Sequence, residues 1–153
     1  MIQYKSLTSI RGRQNASSPK EGTILVVDDD VAMRAILTSV LSQEFSVVAK
    51  KNGLEAMIWL SEGNMPDVIL SDIMMPHLNG YDFIKHLRKS GIFSQIPVLV
   101  LSGHDAEDTE EESMKLGADG YLSKPFDPRI VLDFVLKVYL RASSQRVPLL
   151  LQK

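Results

Sequence analysis

Five short apolar runs, each followed by a segment of helical periodicity, constrain this chain more than any other feature. Residues 24–27 are apolar at every position, as in a strand buried on both faces. Met33, Ile36, Leu37, Val40 and Leu41 then recur at helical spacing, which predicts a helix over 31–42 with Asp30 at its N-cap. Residues 45–49 read as a second strand, Asn52-Gly53 as a turn and 54–61 as a helix. Pro66 marks the start of a third strand over 67–71. A helix over 80–90 follows, burying Phe83, Ile84 and Leu87 and ended by Gly91. Residues 97–101 predict a fourth strand, 105–116 an acidic helix ending near Gly117, and 120–123 a fifth strand. Asp127 and Pro128 open a last helix that reaches about Arg141. No hairpin signal joins two runs. The strands are therefore expected to be parallel, linked by right-handed crossovers, with helices on both faces.

The chemistry is concentrated where strands end. Asp28, Asp29 and Asp30 follow the first run, Asp72 follows the third, and Lys124-Pro125 follows the fifth. Doubly wound sheets bind ligands beyond the carboxyl ends of their strands, at the switch point where the first and third strands are neighbours. Asp28, Asp29 and Asp72 would repel one another there, and a cation would relieve the repulsion. All-oxygen donors suit Mg²⁺ better than Zn²⁺. A metal beside Asp72 would also offset the charge of an incoming phosphoryl group, whose transfer depends mainly on positioning and charge compensation. Each element alone has a plainer reading: the acidic triplet as a helix cap, Asp72 as a turn residue, Lys124 as a solvated charge, Tyr121 as aromatic packing. Their joint occurrence favours a site. Asp30 reads as a cap rather than a ligand.

At 153 residues, 44% hydrophobic and 24% charged, the chain has the composition of a single soluble domain. The expected organisation is a disordered extension over 1–21, a folded domain over 22–141 and a tail over 142–153. The first 20 residues carry Lys5, Arg11, Arg13 and Lys20 without an acid, so a basic contact or targeting arm is the alternative to a plain tail. A net charge of −2 gives no global pull toward nucleic acid or an anionic membrane. The absence of cysteine excludes disulfides and thiolate chemistry, and fits the cytoplasm. His77, His86 and His104 do not stand at metal-ligand spacing.

Four motifs in order, ILVVDDD (24–30), SDIMMPHLNG (71–80), VLVLSGH (98–104) and GADGYLSKPF (117–126), resemble the receiver domain of two-component response regulators. The resemblance spans about residues 22–141 and points to the single-domain, chemotaxis-regulator-like type. It implies a flavodoxin-like, doubly wound five-stranded parallel sheet in the order 2-1-3-4-5 with five helices. It also implies roles. Asp72 would be the phosphoacceptor. Asp28, Asp29, Asp72 and the backbone carbonyl of Met74 would hold Mg²⁺. Lys124 would contact a phosphoryl oxygen, with a cis peptide before Pro125. Ser102 would be the switch hydroxyl and Tyr121 the switch aromatic, whose ring turns inward. The donor would be a sensor histidine kinase or a phosphotransfer protein, and the output altered binding to a downstream protein, without direct nucleic-acid contact or membrane insertion. The chain would not be an enzyme beyond catalysing its own Mg²⁺-dependent phosphorylation and dephosphorylation. Bulky Met74 and His104, two residues past Asp72 and Ser102, are expected to slow that dephosphorylation.

Other readings differ on particular residues. A haloacid-dehalogenase-like phosphatase also uses an Asp nucleophile and Mg²⁺, but its first-strand motif fails at Ala32 and no cap insertion is present. A degenerate receiver acting as a scaffold has no support, since every site residue is of usable type. The length leaves no room for a helix-turn-helix output domain, so output in trans is expected unless the chain is a piece of a longer regulator or hybrid kinase. The six acids between Asp105 and Glu112 read as a solvated helix face or as a surface for a basic partner. The last helix carries two apolar stripes, 130, 131, 134, 135, 138 and 132, 136, 139, 140. The second is expected to be covered either by Leu149–151 of the same chain or by a second subunit in a homodimer.

Overall fold

The computed structural model describes residues 20–103 and 106–145. Strands β1 (Thr23–Val27), β2 (Ser46–Lys50), β3 (Val68–Ser71), β4 (Val98–Ser102) and β5 (Gly120–Ser123) alternate with helices α1 (Val31–Leu41), α2 (Gly53–Ser61), α3 (Gly80–Lys89), α4 (Ala106–Lys115) and α5 (Pro128–Gln145). The strands form one sheet in the order β2-β1-β3-β4-β5, and every neighbouring pair is parallel. The expected doubly wound architecture is what the chain adopts.

Residue alternation along the strands feeds two cores. Leu25, Val27, Ile69, Val98 and Val100 face Ala56 and Leu60 of α2 and Phe83, Ile84 and Leu87 of α3. Ile24, Val26, Val68, Leu70, Leu99 and Leu101 face Leu37 and Leu41 of α1, Phe45, and Val131 and Val135 of α5. Helix α4 lies against β4 and β5. The central strands β3 and β4 are buried at every residue, which is why their sequences show no polar alternation.

Local signals explain most boundaries. The Asp30 carboxylate accepts from the amides of Ala32 and Met33 at 2.8 and 3.1 Å, the expected cap of α1. Asn52-Gly53 is not a free turn. Asn52 caps α2 by accepting from the Glu55 amide at 2.8 Å, and Gly53 is the first helical residue. Helix α3 ends at Ser90, not Gly91. Ser90 leaves the helix with ψ 134°, and its hydroxyl accepts from the amides of Ile92 and Phe93. Gly91 does not adopt the left-handed conformation that a glycine cap uses, whereas Gly117, after α4, does at φ +107°. The side chain of Asp127 accepts from the Arg129 amide at 2.9 Å, as expected of a cap at the start of α5.

Helix α5 continues four residues past Arg141, to Gln145. Its second apolar stripe is covered in part within the domain: Leu132, Leu136 and Tyr139 are partly buried against the core that α1 also feeds. The Tyr139 ring meets Phe45 edge-on at 5.3 Å and its hydroxyl donates to the Glu21 carbonyl. Ile130 and Leu140 remain exposed. The possible cover from Leu149–151 falls outside the described residues, as do His104, Asp105 and the extension over 1–19.

Arg88, near the end of α3, ties together the loops at the opposite sheet edge from Asp72. Its guanidinium donates to the carbonyls of Gly117 (2.9 Å), Ser94 (3.1 Å) and Ile96 (2.9 Å), and to the Asp119 carboxylate (2.9 Å). The same Asp119 oxygen accepts from the Val98 amide at the start of β4.

Candidate functional site

The sheet's hydrogen-bond ladder runs into the site. The Asp28 amide donates to Lys50, the Asp72 amide to Val27 and the Lys124 amide to Ser102, at 3.1, 2.9 and 2.8 Å. Each charged residue is therefore the next rung beyond a strand, and neighbouring strands deliver them to one crevice. One carboxylate oxygen from each of Asp28, Asp29 and Asp72 lies within 4.8 Å of the others. Asp28 and Asp72 are buried, and Asp29 is exposed. The Lys124 ammonium bridges the buried pair, 3.0 Å from Asp28 Oδ2 and 3.2 Å from Asp72 Oδ2.

The remaining carboxylate oxygens are held by backbone. Asp72 Oδ1 accepts from the Ile73 amide at 2.7 Å, and Asp28 Oδ1 from the Asp30 amide at 2.9 Å. Arg34 donates to the Asp28 carbonyl at 2.7 Å, pinning α1 to the end of β1. Burial raises the Asp72 carboxyl above its ordinary range; Lys124 opposes this, and the negative charge of Asp28 adds to it. Burial pulls the Lys124 amine down, but the carboxylates of Asp28 and Asp72 outweigh it and raise the amine overall. One ammonium thus faces three carboxylates, so ionised charge in the crevice is negative in excess. Hard oxygen donors at this separation fit a divalent cation.

Ser102 ends β4 and is fully buried. The Tyr121 ring packs against the core beneath α2 and α3. Its hydroxyl is buried and makes no hydrogen bond of good geometry with a described residue. Burial raises its ionisation range, and Ser102 stands close enough to oppose that shift. The Lys124-Pro125 peptide is cis, as the resemblance implied. Met74 sits on the loop after Asp72 with 56% of its surface exposed.

Gly80 closes that loop. Its amide donates to the Ile73 carbonyl at 2.8 Å. A Cβ here would stand 2.3 Å from the Asp72 carbonyl oxygen and 2.8 Å from the Ile73 Cα, both backbone atoms. Sequence marks Gly80 only as the start of a helix, and the close approach is not legible there; the nearest signal is the Asn79-Gly80 pair, in which Asn79 caps α3. Gly80→Ala is expected to cost about 2–3 kcal/mol through overpacking. Gly103→Ala, where the nearest atom to a Cβ is 3.8 Å away, is expected to cost little. Urea unfolding of the two variants measures the contrast.

A family model described as the response regulator receiver domain matches residues 24–135. The chain belongs to this family. The receiver is 35% identical over 150 residues to the alkaline phosphatase synthesis transcriptional regulatory protein SphR of Synechococcus elongatus, covering 92% of this chain and 57% of that protein. The receiver domain of a Francisella response regulator superposes with a TM-score of 0.72 at 33% identity, covering 79% of this chain and 98% of that one. The chemotaxis response regulator CheY4 of Vibrio cholerae superposes at 0.70 with 30% identity, covering 76% and 97%. The chain spans about half the length of the curated relatives it matches. Acidic clusters like that of Asp28, Asp29 and Asp72 are typical of receivers that bind a divalent metal. Among the described residues, no helix is long and apolar enough to cross a membrane.

Proposed function

We propose that this receiver is a phosphorylation-activated switch: Asp72 accepts a phosphoryl group from the phosphohistidine of a sensor kinase or phosphotransfer protein, and the change is read by altered protein–protein binding. The observation that carries this reading is the bridge from Lys124 to both Asp28 and Asp72, which gathers an anionic nucleophile, metal-type ligands and a cation in one crevice. Asp28, Asp29, Asp72 and the Met74 carbonyl would hold Mg²⁺, which when bound supplies positive charge against the phosphoryl oxygens.

The chain's own groups do the rest. An Asp72 carboxylate oxygen forms the bond to phosphorus as the phosphorus–nitrogen bond of the donor breaks. The departing imidazole keeps the electron pair and is protonated. The Ile73 amide fixes the other Asp72 oxygen and so orients the nucleophile. Lys124 shifts part of its charge from the carboxylate to a phosphoryl oxygen, as a point charge on a flexible stem can. The Ser102 hydroxyl donates to the phosphoryl group, and Tyr121, whose buried hydroxyl gains little where it stands, is the element whose two packings phosphorylation biases. On this reading the chain works in the cytoplasm and has no enzymatic substrate besides its own phosphoryl group.

Intact mass after incubation with Mg²⁺ and a small acyl phosphate tests the proposal. One added phosphoryl group is expected, absent without Mg²⁺ and absent in Asp72→Asn. A folded protein that neither gains mass nor releases phosphate from the donor would refute the switch.

A further inference from the structure

A pocket of about 360 Å³ opens where α2 meets α3 and the loop after β3. Leu54 and Met57 of α2 and Leu78 of the loop are its apolar lining, and the imidazoles of His77 and His86 complete it. The pocket is preformed. Gly53 sets the start of α2 so close to the loop that a Cβ there would stand 2.7 Å from the Leu78 carbonyl oxygen. Leu54 is 49% exposed, and Ile58, one turn further along α2, is 52% exposed, so apolar surface continues beyond the pocket rim.

Charge is divided unevenly on this side of the sheet. Helix α3 carries Lys85, Arg88 and Lys89 against Asp82. Arg88 is engaged with the loops before β4 and β5, whereas Lys85 and Lys89 are exposed, one turn apart on the face away from Phe83, Ile84 and Leu87. Helix α4 carries five acids and one lysine. Its inward residues are the buried Thr109 and Ser113, so helical spacing turns Glu107, Glu110 and Met114 outward. Met114 is 45% exposed, an apolar side chain set among carboxylates.

We propose that this side is a twofold interface between two copies of the chain: Met114 of each copy enters the pocket of Leu54, Met57 and Leu78 on the other, and Glu107 and Glu110 face Lys85 and Lys89.

Three observations favour a second copy. The first is charge. A surface with an acidic half on α4 and a basic half on α3 is its own complement, and such complementarity sets both partner choice and orientation. The second is placement. Leu116, just past α4, packs against the core that α2 and α3 cover, so anchor and pocket lie on one side of the sheet. A twofold axis alongside α3 lays each α4 over the other copy's pocket and closes the assembly at two. The third is fit: an unbranched thioether adapts to an irregular apolar pocket. The interface uses none of the crevice residues, so it goes beyond the switch reading and stands whether or not Asp72 takes a phosphoryl group.

Sedimentation of the full chain over a range of concentrations tests the proposal. A dimer is expected, its dissociation constant rising about tenfold between about 0.1 and 1 M NaCl as the screening length falls from about 10 to about 3 Å. Two surface variants then decide between faces: Glu107→Lys with Glu110→Lys, and Lys85→Glu with Lys89→Glu. Each alone is expected to be monomeric. Mixed in equal amounts they are expected to dimerise again, because opposite charges then meet on both sides of the axis. Recovery on mixing also shows that both variants are folded. A parent chain that stays monomeric at low salt would overturn the proposal. So would a variant that dimerises as the parent does, a mixture that stays monomeric, or assemblies that grow past two with concentration.

Discussion

Arg88→Ala is expected to lower the unfolding free energy by about 3–5 kcal/mol, a large share of the 5–15 kcal/mol that holds a domain of this size together. The side chain is 21% exposed and its four hydrogen bonds go to two loops, the one before β4 and the one before β5. Truncation leaves the carbonyls of Gly117, Ser94 and Ile96 without their charged donor and strips Asp119 of its cationic partner. Arg88→Lys should recover only part of the loss, since an ammonium cannot present the planar fork that reaches Gly117, Ile96 and Asp119 together. Asp119→Ala should cost less than Arg88→Ala, although it also removes the acceptor for the Val98 amide. Urea midpoints at constant m-value measure all three. A loss below about 1 kcal/mol for Arg88→Ala would show that water replaces these bonds at little cost.

Lys124→Met is expected to have two opposed effects. Without metal it leaves Asp28 and Asp72 buried and facing each other, at a cost of about 2–4 kcal/mol near neutral pH. The sign with pH follows from the shifts. The Asp72 carboxyl titrates above its ordinary range in the folded parent, so the folded state keeps this proton when the unfolded chain has lost it. Stability contributed by this group therefore falls as pH rises from the ordinary carboxylate value through the raised one. Removing the ammonium extends that window upward, so the deficit of the variant should shrink as pH is lowered into the carboxylate range. Lys124 has the opposite sign. Its raised amine adds stability that is fully present below the ordinary lysine value and is lost as pH rises through the raised one. Added Mg²⁺ should rescue the variant more than the parent, because the competing cation is gone. At ten times its dissociation constant Mg²⁺ contributes about 1.4 kcal/mol, and the smaller constant of the variant lets it act at lower concentration. Phosphoryl uptake should nonetheless fall roughly 100-fold, the scale of losing one charge-stabilising donor. A metal response identical in variant and parent would mean that Lys124 and the cation do not compete for the carboxylates.

The residues of the acidic crevice were legible because each is local to an apolar run. Asp28, Asp72 and Lys124 follow strands whose burial on both faces is written in their composition, and parallel pairing brings the ends together. Arg88 carried no such signal. Its acceptors are the carbonyls of residues 94, 96 and 117, and a carbonyl looks the same in every residue. The second stripe of α5 was legible in part for a related reason: periodicity shows that Leu132, Leu136 and Tyr139 are apolar but not that they pack against the core that Phe45 and α1 feed. Gly91 looked like a cap by type, yet Ser90 ended α3 because its hydroxyl could catch two amides at once. Gly80 needed the position of the Asp72 carbonyl, which only the folded loop supplies. The expected joint effect of Met74 and His104 on dephosphorylation stands half outside the described residues, with Met74 the exposed half.

On the proposed function, the ladder that carries Asp28, Asp72 and Lys124 as its next rungs also makes signalling competence a proofreading mark on sheet assembly. Side chains alternate along a strand, so a slip of one residue in β1, β3 or β5 would turn its charged residue to the other face and bury the wrong neighbours. Such a chain could still be compact and largely helical, yet it would present no joined crevice. If Asp72 accepts the phosphoryl group as proposed, only molecules whose three strands have paired in register should take it up, so a population labelled there would already be sorted for correct pairing.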